Sequence, residues 1–284
     1  MEYDYEISFL TVGHGDATLI CQTAKKHAVL IDAATPAPVL SALSTIKELK
    51  AIFITHWDED HIGGMPAVIS LLKSQNNKDV AFYINRQYSD TEIANRFSRT
   101  LDEGREDGTI KIAMAYKEYP GQVELIGGLF IILWPCHHVG IINPQDKNLD
   151  SLILKFEIEA MSVLLGGDAK GVVWPQIENT KLRSKVLRFP HHGGRLSTSK
   201  ESWTADKLIS EVDPEYVVLS SRKKSRHHPS QEFFEAMKNH TTRKFLFTSE
   251  GTIILQAESK SGAICVRCML DNKEDETGGR SCFC

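Results

Sequence analysis

Two histidines and two aspartates stand at positions 56, 58, 60 and 61 of Ile54-Thr55-His56-Trp57-Asp58-Glu59-Asp60-His61-Ile62-Gly63-Gly64, directly after an apolar run. Imidazole and carboxylate together suit zinc, manganese or iron, and the absence of thiolate argues against a structural zinc finger. In extended chain alternate side chains share a direction, so His56 and Asp58 can reach one point while Asp60 and His61, past a bend, reach another. The spacing therefore allows two adjacent cations. A solvated acidic loop is the competing account, but histidines interleaved with aspartates between an apolar strand and a Gly-Gly helix start are not ordinary loop composition. Further polar clusters follow the same pattern: Gly13-His14-Gly15-Asp16, Asp32, Trp134-Pro135-Cys136-His137-His138, Gly166-Gly167-Asp168, Pro190-His191-His192-Gly193-Gly194, and Ser221-Arg222-Lys223-Lys224-Ser225-Arg226-His227-His228-Pro229.

The elements that would position these clusters are legible from hydrophobic patterning. Strands are expected over 5–12, 17–21 and 28–31, then a βα rhythm with strands over 51–54 and 81–84 and helices over 39–47, 65–73 and 89–106. In the last of these, Ile93, Phe97 and Leu101 recur four apart, the stripe of an outer helix with one buried face. Gly127-Gly128 joins strands over 122–126 and 129–134 as a hairpin signal. Strands over 152–158, 161–165, 186–189, 216–219, 245–248 and 252–256 complete the regular part, with helical segments over 172–177 and 231–238. Most of the clusters follow a strand. In α/β folds such strand ends converge on one edge of the sheet, which would make the clusters neighbours.

At 284 residues with 42% hydrophobic content, the chain can bury a substantial core. A formal net charge of -4 with both signs well represented neither demands nor excludes nucleic acid. The start, Met1-Glu2-Tyr3-Asp4-Tyr5-Glu6, is acidic and unlike a signal peptide, and no apolar run approaches transmembrane length. A cytoplasmic protein with reduced thiols and no membrane contact is expected. No repeat or low-complexity linker divides the chain, so one domain over 1–258 is expected, followed by an acidic, Cys-containing tail over 259–284. Its Cys265, Cys268, Cys282 and Cys284 offer a candidate zinc site. Against this, 263–270 reads as a possible last strand, on which residues three apart face opposite sides, whereas zinc knuckles need a turn.

The loop at His56, with Gly167-Asp168 and His191-His192, resembles the metallo-β-lactamase hydrolase superfamily, whose loop reads His-x-His-x-Asp-His. Here the second histidine is Asp58. That departure, together with Val12-Gly13-His14-Gly15-Asp16-Ala17, Phe189-Pro190-His191-His192-Gly193 and the later His228-Pro229, is similar to the hydrolase domain of ComEC-type competence channel proteins and their soluble relatives, in consistent order over about residues 5 to 258. The resemblance implies an α/β fold, a four-layer αββα sandwich of two mixed β-sheets flanked by helices. It implies two divalent ions, zinc or manganese, with His56 and Asp58 on one, Asp60 and His61 on the other, and Asp168 bridging. His191 of the histidine pair would complete the second, and His137 is the candidate third family histidine, with a pocket-lining role as the alternative. Asp32 matches a carboxylate that orients ligands from behind. Asp60, Asp168 and His228 are the candidate catalytic residues, His228 contacting a phosphate or protonating a leaving oxygen. From the motifs themselves, His14, Asp16 and His192 are candidates for supporting the ligands from behind or contacting substrate.

Two cations ~3.5 to 4 Å apart can share a hydroxide near neutral pH, so no protein nucleophile is required. A phosphodiester of DNA or RNA is the expected substrate, because Arg222, Lys223, Lys224 and Arg226, with Lys170 and Arg195 after other motifs, can hold a backbone of phosphates. A solvated basic loop is the plainer account of that run. A small-molecule phosphoester or lactone hydrolase, or a non-enzymatic regulatory component with a protein partner, are the alternatives. Stand-alone relatives in bacterial defence are family context only.

Overall fold

In a computed structural model, residues 3–85, 87, 89–137, 146–221 and 228–269 are described, together with the backbone of 282–283. The chain first lays down β1 (Tyr5–Phe9), β2 (Thr18–Gln22), β3 (His27–Ile31), helix α1 (Pro36–Leu43), β4 (Glu48–Phe53), a single helical turn α2 (Glu59–Ile62), α3 (Met65–Ser74), β5 (Val80–Ile84), α4 (Glu92–Glu106) and β6 (Ile110–Met114). It then builds β7 (Gln122–Leu125), β8 (Gly128–Trp134), β9 (Ile153–Ile158), β10 (Met161–Leu165), α5 (Asn179–Leu182), β11 (Val186–Arg188), α6 (Ala205–Val212), β12 (Tyr216–Leu219), α7 (Gln231–Asn239) and β13 (Lys244–Phe247). It returns with β14 (Thr252–Ala257), β15 (Ile264–Met269) and the two-residue β16 (Cys282–Phe283).

These strands form two mixed sheets. The first has the order β16-β15-β14-β1-β2-β3-β4-β5-β6 and the second β13-β12-β11-β10-β9-β8-β7. In each, antiparallel pairing passes into parallel pairing partway across: β3, β4, β5 and β6 are parallel in one, β10, β11, β12 and β13 in the other. Parallel strands need helical crossovers that cover the outer face, so their strands are apolar on both sides rather than alternating. Val29, Ile31 and Phe53 face Phe130, Leu154, Phe156 and Val218 between the sheets. The intervening Leu30, Ile52 and Ile54 face α1, α3 and α4 through Val39, Leu43, Ile69, Leu72, Phe97 and Leu101. On the far side Leu164, Leu187 and Val217 pack under Leu208, Ile209 and Val212 of α6 and Phe233 of α7. Three apolar interfaces separate four layers, as the αββα expectation requires.

Differences from the sequence expectations are local. The strands β6 and β16 and the helices α2, α5 and α6 are additional. The segment expected to be helical over 172–177 is a 3-10 turn at Trp174–Gln176. Strand β15, at the place of the possible last strand over 263–270, pairs antiparallel with β14 and carries the first sheet past the expected domain limit at 258. Within β15, Cys265 is buried, and Cys268 is half-buried and packs against the apolar layer between the sheets. The side chains of Cys282 and Cys284 lie outside the described residues, and no cysteine joins a candidate metal cluster among those described. No described helix is long and apolar enough to cross a membrane.

Candidate metal centre

The parallel strands end on one edge, and the polar clusters meet there. Asp32 follows β3, Thr55 and His56 follow β4, α2 carries Asp60 and His61, Gly167 and Asp168 follow β10, the histidine pair follows β11 and Ser220 follows β12. Asp32 adopts a left-handed φ of 58°, which a non-glycine residue keeps only where its surroundings hold it. There its carboxylate accepts from the Thr55 N–H at 2.8 Å, from the Thr55 hydroxyl at 2.6 Å and from His61 Nδ1 at 2.8 Å.

Three histidines are fixed through Nδ1. His61 donates to Asp32. Thr55 Oγ1, its own proton given to Asp32, is left to accept from His56 Nδ1 at 3.2 Å. Ser220 Oγ donates to Asp16 and accepts from His192 Nδ1 at 3.0 Å. These partners assign the Nδ1–H in each ring and turn every Nε2 inward, the usual support of a metal-ligating imidazole. His61 Nε2 lies 3.2 Å and His192 Nε2 3.6 Å from Asp168 Oδ1, and His56 Nε2 lies 3.8 Å from Asp168 Oδ2. Asp60 Oδ2 lies 3.3 Å from His192 Nε2 and 3.4 Å from His14 Nε2, while Asp58 Oδ2 lies 3.5 Å from His56 Nε2.

Nε2 of His56, His61 and His192 and Oδ1 of Asp168 are all buried without a hydrogen-bond partner. They approach one another at 3.2 to 3.8 Å as ion pairs without hydrogen-bond geometry, and a group that coordinates all four would satisfy them together. A divalent cation with imidazole and carboxylate ligands does so. Three overlapping sets have ligand atoms within 4.8 Å of one another: His56, His61 and Asp168; Asp16, His61 and His192; and His14, Asp60 and His192.

The charges of the cluster interlock. Burial works to raise the Asp168 carboxyl pKa, but His192 and His61 outweigh it and hold the group well below the usual carboxylate range. Burial likewise opposes charge on His61 and His192, yet Asp168 and Asp32 raise the first well above its ordinary value. Asp168 and Asp16 push the second up to about 10. Burial also acts against ionised Asp60 and Asp58, and neighbouring imidazoles, with Lys147 at Asp58, hold both low. Without a cation the centre is thus a set of carboxylates balanced by imidazolium protons, which a cation would displace. His228 is different: burial, reinforced by His191, His192 and His14, pushes it down to about 4 and keeps it neutral.

The structure brings together His56, Asp58, Asp60, His61 and Asp168 with Asp32, His14 and Asp16. Of the histidine pair, His192 rather than His191 enters the cluster. Successive φ values of 52° and 51° turn the chain so that His192 is 2% exposed, while His191 stays half-buried at the rim with its ring 5.1 Å from His228. His137 stands apart from all three sets. It is exposed, with its ring edge-on to Tyr116 at 5.1 Å and its backbone N–H donating to Glu118. Lys170 pairs with Asp146 at 2.5 Å, and Arg195 lies against Ser197 and Glu232. Arg222 and Lys223 lie outside the described residues.

Four contributors were not anticipated. Thr55 and Ser220 carry the Nδ1 bonds just described. Lys147 pairs with Asp58 and approaches Ser89 Oγ at 3.3 Å, but its segment carries no motif. Arg188 holds Asp16, and a lone arginine in the apolar run Val186-Leu187-Arg188-Phe189 is a signal in itself, because a buried charge must find a partner.

Residues 10–74, which contain the His56 loop, match the Metallo-beta-lactamase superfamily. The chain is 25% identical over 288 residues to ComE operon protein 3 of Bacillus subtilis (strain 168), a match covering 92% of the chain and 34% of that protein. It thus spans about a third of its relative's length. The crystal structure of the metallo-beta-lactamase fold protein YhfI from Bacillus subtilis superposes with a TM-score of 0.56 at 10% identity, covering 92% of this chain and 99% of that one. A diphosphatase of the PhnP family superposes with a TM-score of 0.49 at 18% identity, covering 82% and 81%.

Proposed function

Since this chain has the metallo-β-lactamase fold, we propose that it is a metal-dependent hydrolase holding two divalent cations, zinc or manganese, and cleaving phosphodiesters of DNA or RNA. The observation that carries the hydrolase reading is the convergence of four buried atoms without a hydrogen bond, Nε2 of His56, His61 and His192 and Oδ1 of Asp168, from three strand-end loops. Asp58 would complete one ion's ligands beside His56, and Asp60 the other's beside His61 and His192, with Asp168 placed between them. Bound there, divalent cations supply Lewis acidity and activate water near neutral pH. Asp32, Thr55 and Ser220 keep the ligating imidazoles in one tautomer and one orientation. His228, neutral at the rim, serves as a hydrogen-bond partner for a substrate oxygen rather than as an imidazolium acid.

Lysines support an anionic substrate. Lys147 and Lys170 are partly exposed, the first paired with Asp58 and the second with Asp146, and in the sequence the basic run over 222–226 follows β12. The test loads the protein with manganese or zinc and assays DNA, RNA and a chromogenic phosphodiester in parallel. Salt-sensitive cleavage of a polynucleotide, abolished by Asp168→Ala, is the expected outcome. Turnover of the small diester alone would narrow the function to a small-molecule phosphodiesterase. Absence of turnover on all three with cations bound would overturn the hydrolase assignment.

A further inference from the structure

Arg188 and Asp16 belong to opposite halves of the sandwich. Arg188 ends β11 in the second sheet, two residues after Val186, whose side chain lies in the apolar layer between the sheets. Alternate strand residues share a face, so the guanidinium enters the same layer, where it is 2% exposed and its Cζ lies 5.5 Å from the Phe9 ring centre. Asp16, from the loop between β1 and β2, receives it bidentately: Nε donates to Oδ2 at 2.8 Å and Nη2 to Oδ1 at 2.5 Å, while Nη1 donates to Thr18 Oγ1 at 2.9 Å. A planar fork of this kind fixes a carboxylate in direction as well as place.

What Asp16 does with its remaining capacity matters more than the ion pair. Its Oδ1 accepts from the Ser220 hydroxyl and lies 3.4 Å from His192 Nδ1, and Ser220 Oγ lies 3.0 Å from the same nitrogen. The Asp16 N–H donates to the Asp60 carbonyl at 2.9 Å, and its own carbonyl accepts from Ala34 N–H at 3.0 Å. Asp16 is thereby bound to the loop after β3, the His56 loop and the end of β12, and Arg188 ties it to the end of β11, the strand that leads into His192. An ordinary stabilising ion pair would show no such convergence on one imidazole.

We propose that Arg188 is a positioning residue for the cation centre. Through Asp16 and Ser220 it holds His192 with its proton on Nδ1 and its Nε2 aimed at Asp60 and Asp168. This rests on the cluster being a cation site and adds to it a specific chain of command from the core of the sandwich to one ligand. Arg188 touches neither a cation nor a substrate. Its loss therefore leaves every ligand present and should disorganise one of them, and outer partners of ligating histidines typically change metal affinity by roughly 10- to 100-fold.

The test measures cobalt(II) binding by calorimetry and by visible absorption, with thermal unfolding of the cation-free protein in parallel. Arg188→Met and Asp16→Asn should each weaken binding roughly 10- to 100-fold and alter the cobalt spectrum. The double variant should bind no more weakly than Asp16→Asn alone, because both act through one imidazole. Arg188→Lys, which keeps the charge, should recover part of the loss. If Arg188→Met does not fold, since it strands a buried carboxylate, Asp16→Asn and Ser220→Ala carry the test. Folded Arg188→Met with a lowered unfolding midpoint but wild-type cobalt affinity and spectrum would overturn the proposal, as would additive losses in the double variant. A wild-type protein that binds no cobalt would instead overturn the cation-site assignment on which it rests.

Discussion

Two successive residues with φ near 50°, His191 and His192, turn the backbone tightly enough that one ring enters the carboxylate cluster and the other faces the rim. Such φ values carry a cost of order 1–3 kcal/mol each away from glycine, and they persist where neighbouring contacts over-determine them. Here the contacts are unequal. His192 has Ser220 and Asp16 behind Nδ1 and two carboxylates before Nε2, whereas burial and neighbouring charges leave the His191 pKa lowered. His192→Ala should therefore abolish tight binding of one of the two proposed cations. His191→Ala should retain both and affect turnover instead. Metal content by mass spectrometry under native conditions distinguishes them, and loss of a cation from His191→Ala with retention in His192→Ala would refute the assignment.

Strand ends place the ligands, and the loops that follow must pack closely enough to bring them within bonding distance. Gly15 shows how close: a Cβ built there would lie 2.3 Å from the Asp60 carbonyl oxygen and 2.5 Å from the Ala34 Cβ, at a φ of +125°. Gly15→Ala should displace the Asp60 turn, lowering stability by about 2 kcal/mol or more and weakening cation binding with it. Gly108, at φ +75° with nothing within 4 Å, is the control: Gly108→Ala should lose about 1 kcal/mol and leave cation binding unchanged. Chemical unfolding and calorimetry on the two variants check both, and a Gly15→Ala protein with wild-type affinity would show that the loops yield. This coupling of loops is what the sequence conveys least. The β-rich opening, the βα rhythm and the strand-end motifs were legible because hydrophobic periodicity and ligand chemistry are local signals. Strand β6 is a partly exposed strand at the end of its sheet with no motif after it, α6 adjoins no motif, and although the lone arginine in an apolar run signals that a partner exists, that partner, Asp16, lies 172 residues away. The choice between His191 and His192 depends on backbone rotation, to which residue identity is blind.

At the scale of the whole molecule, the protons of the centre link folding, pH and cation binding. His61 is raised well above its ordinary value, and Asp168 and Asp16 push His192 up to about 10, burial notwithstanding. Groups with raised folded-state pKa contribute stability that is fully present below the unfolded value of roughly 6.5 and is lost as pH rises through the folded value. The cation-free protein should therefore unfold at progressively lower temperature from about pH 6.5 towards 10. Cys21, which burial raises to about 11, works in the same direction at the alkaline end. A cation has the opposite dependence, because it must displace the same imidazole protons and competes better as they become scarce. Its stabilisation grows with the ratio of free cation to Kd, reaching about 2.7 kcal/mol at a hundredfold excess over Kd. The interval between the unfolding midpoints of manganese-loaded and chelator-treated protein should thus widen from pH 6.5 to pH 9. Scanning calorimetry across that range, with calorimetric titrations in two buffers of different ionisation enthalpy to count released protons, measures both sides of the linkage. A constant or shrinking interval, or binding without proton release, would mean that His61 and His192 are not the groups the cation meets.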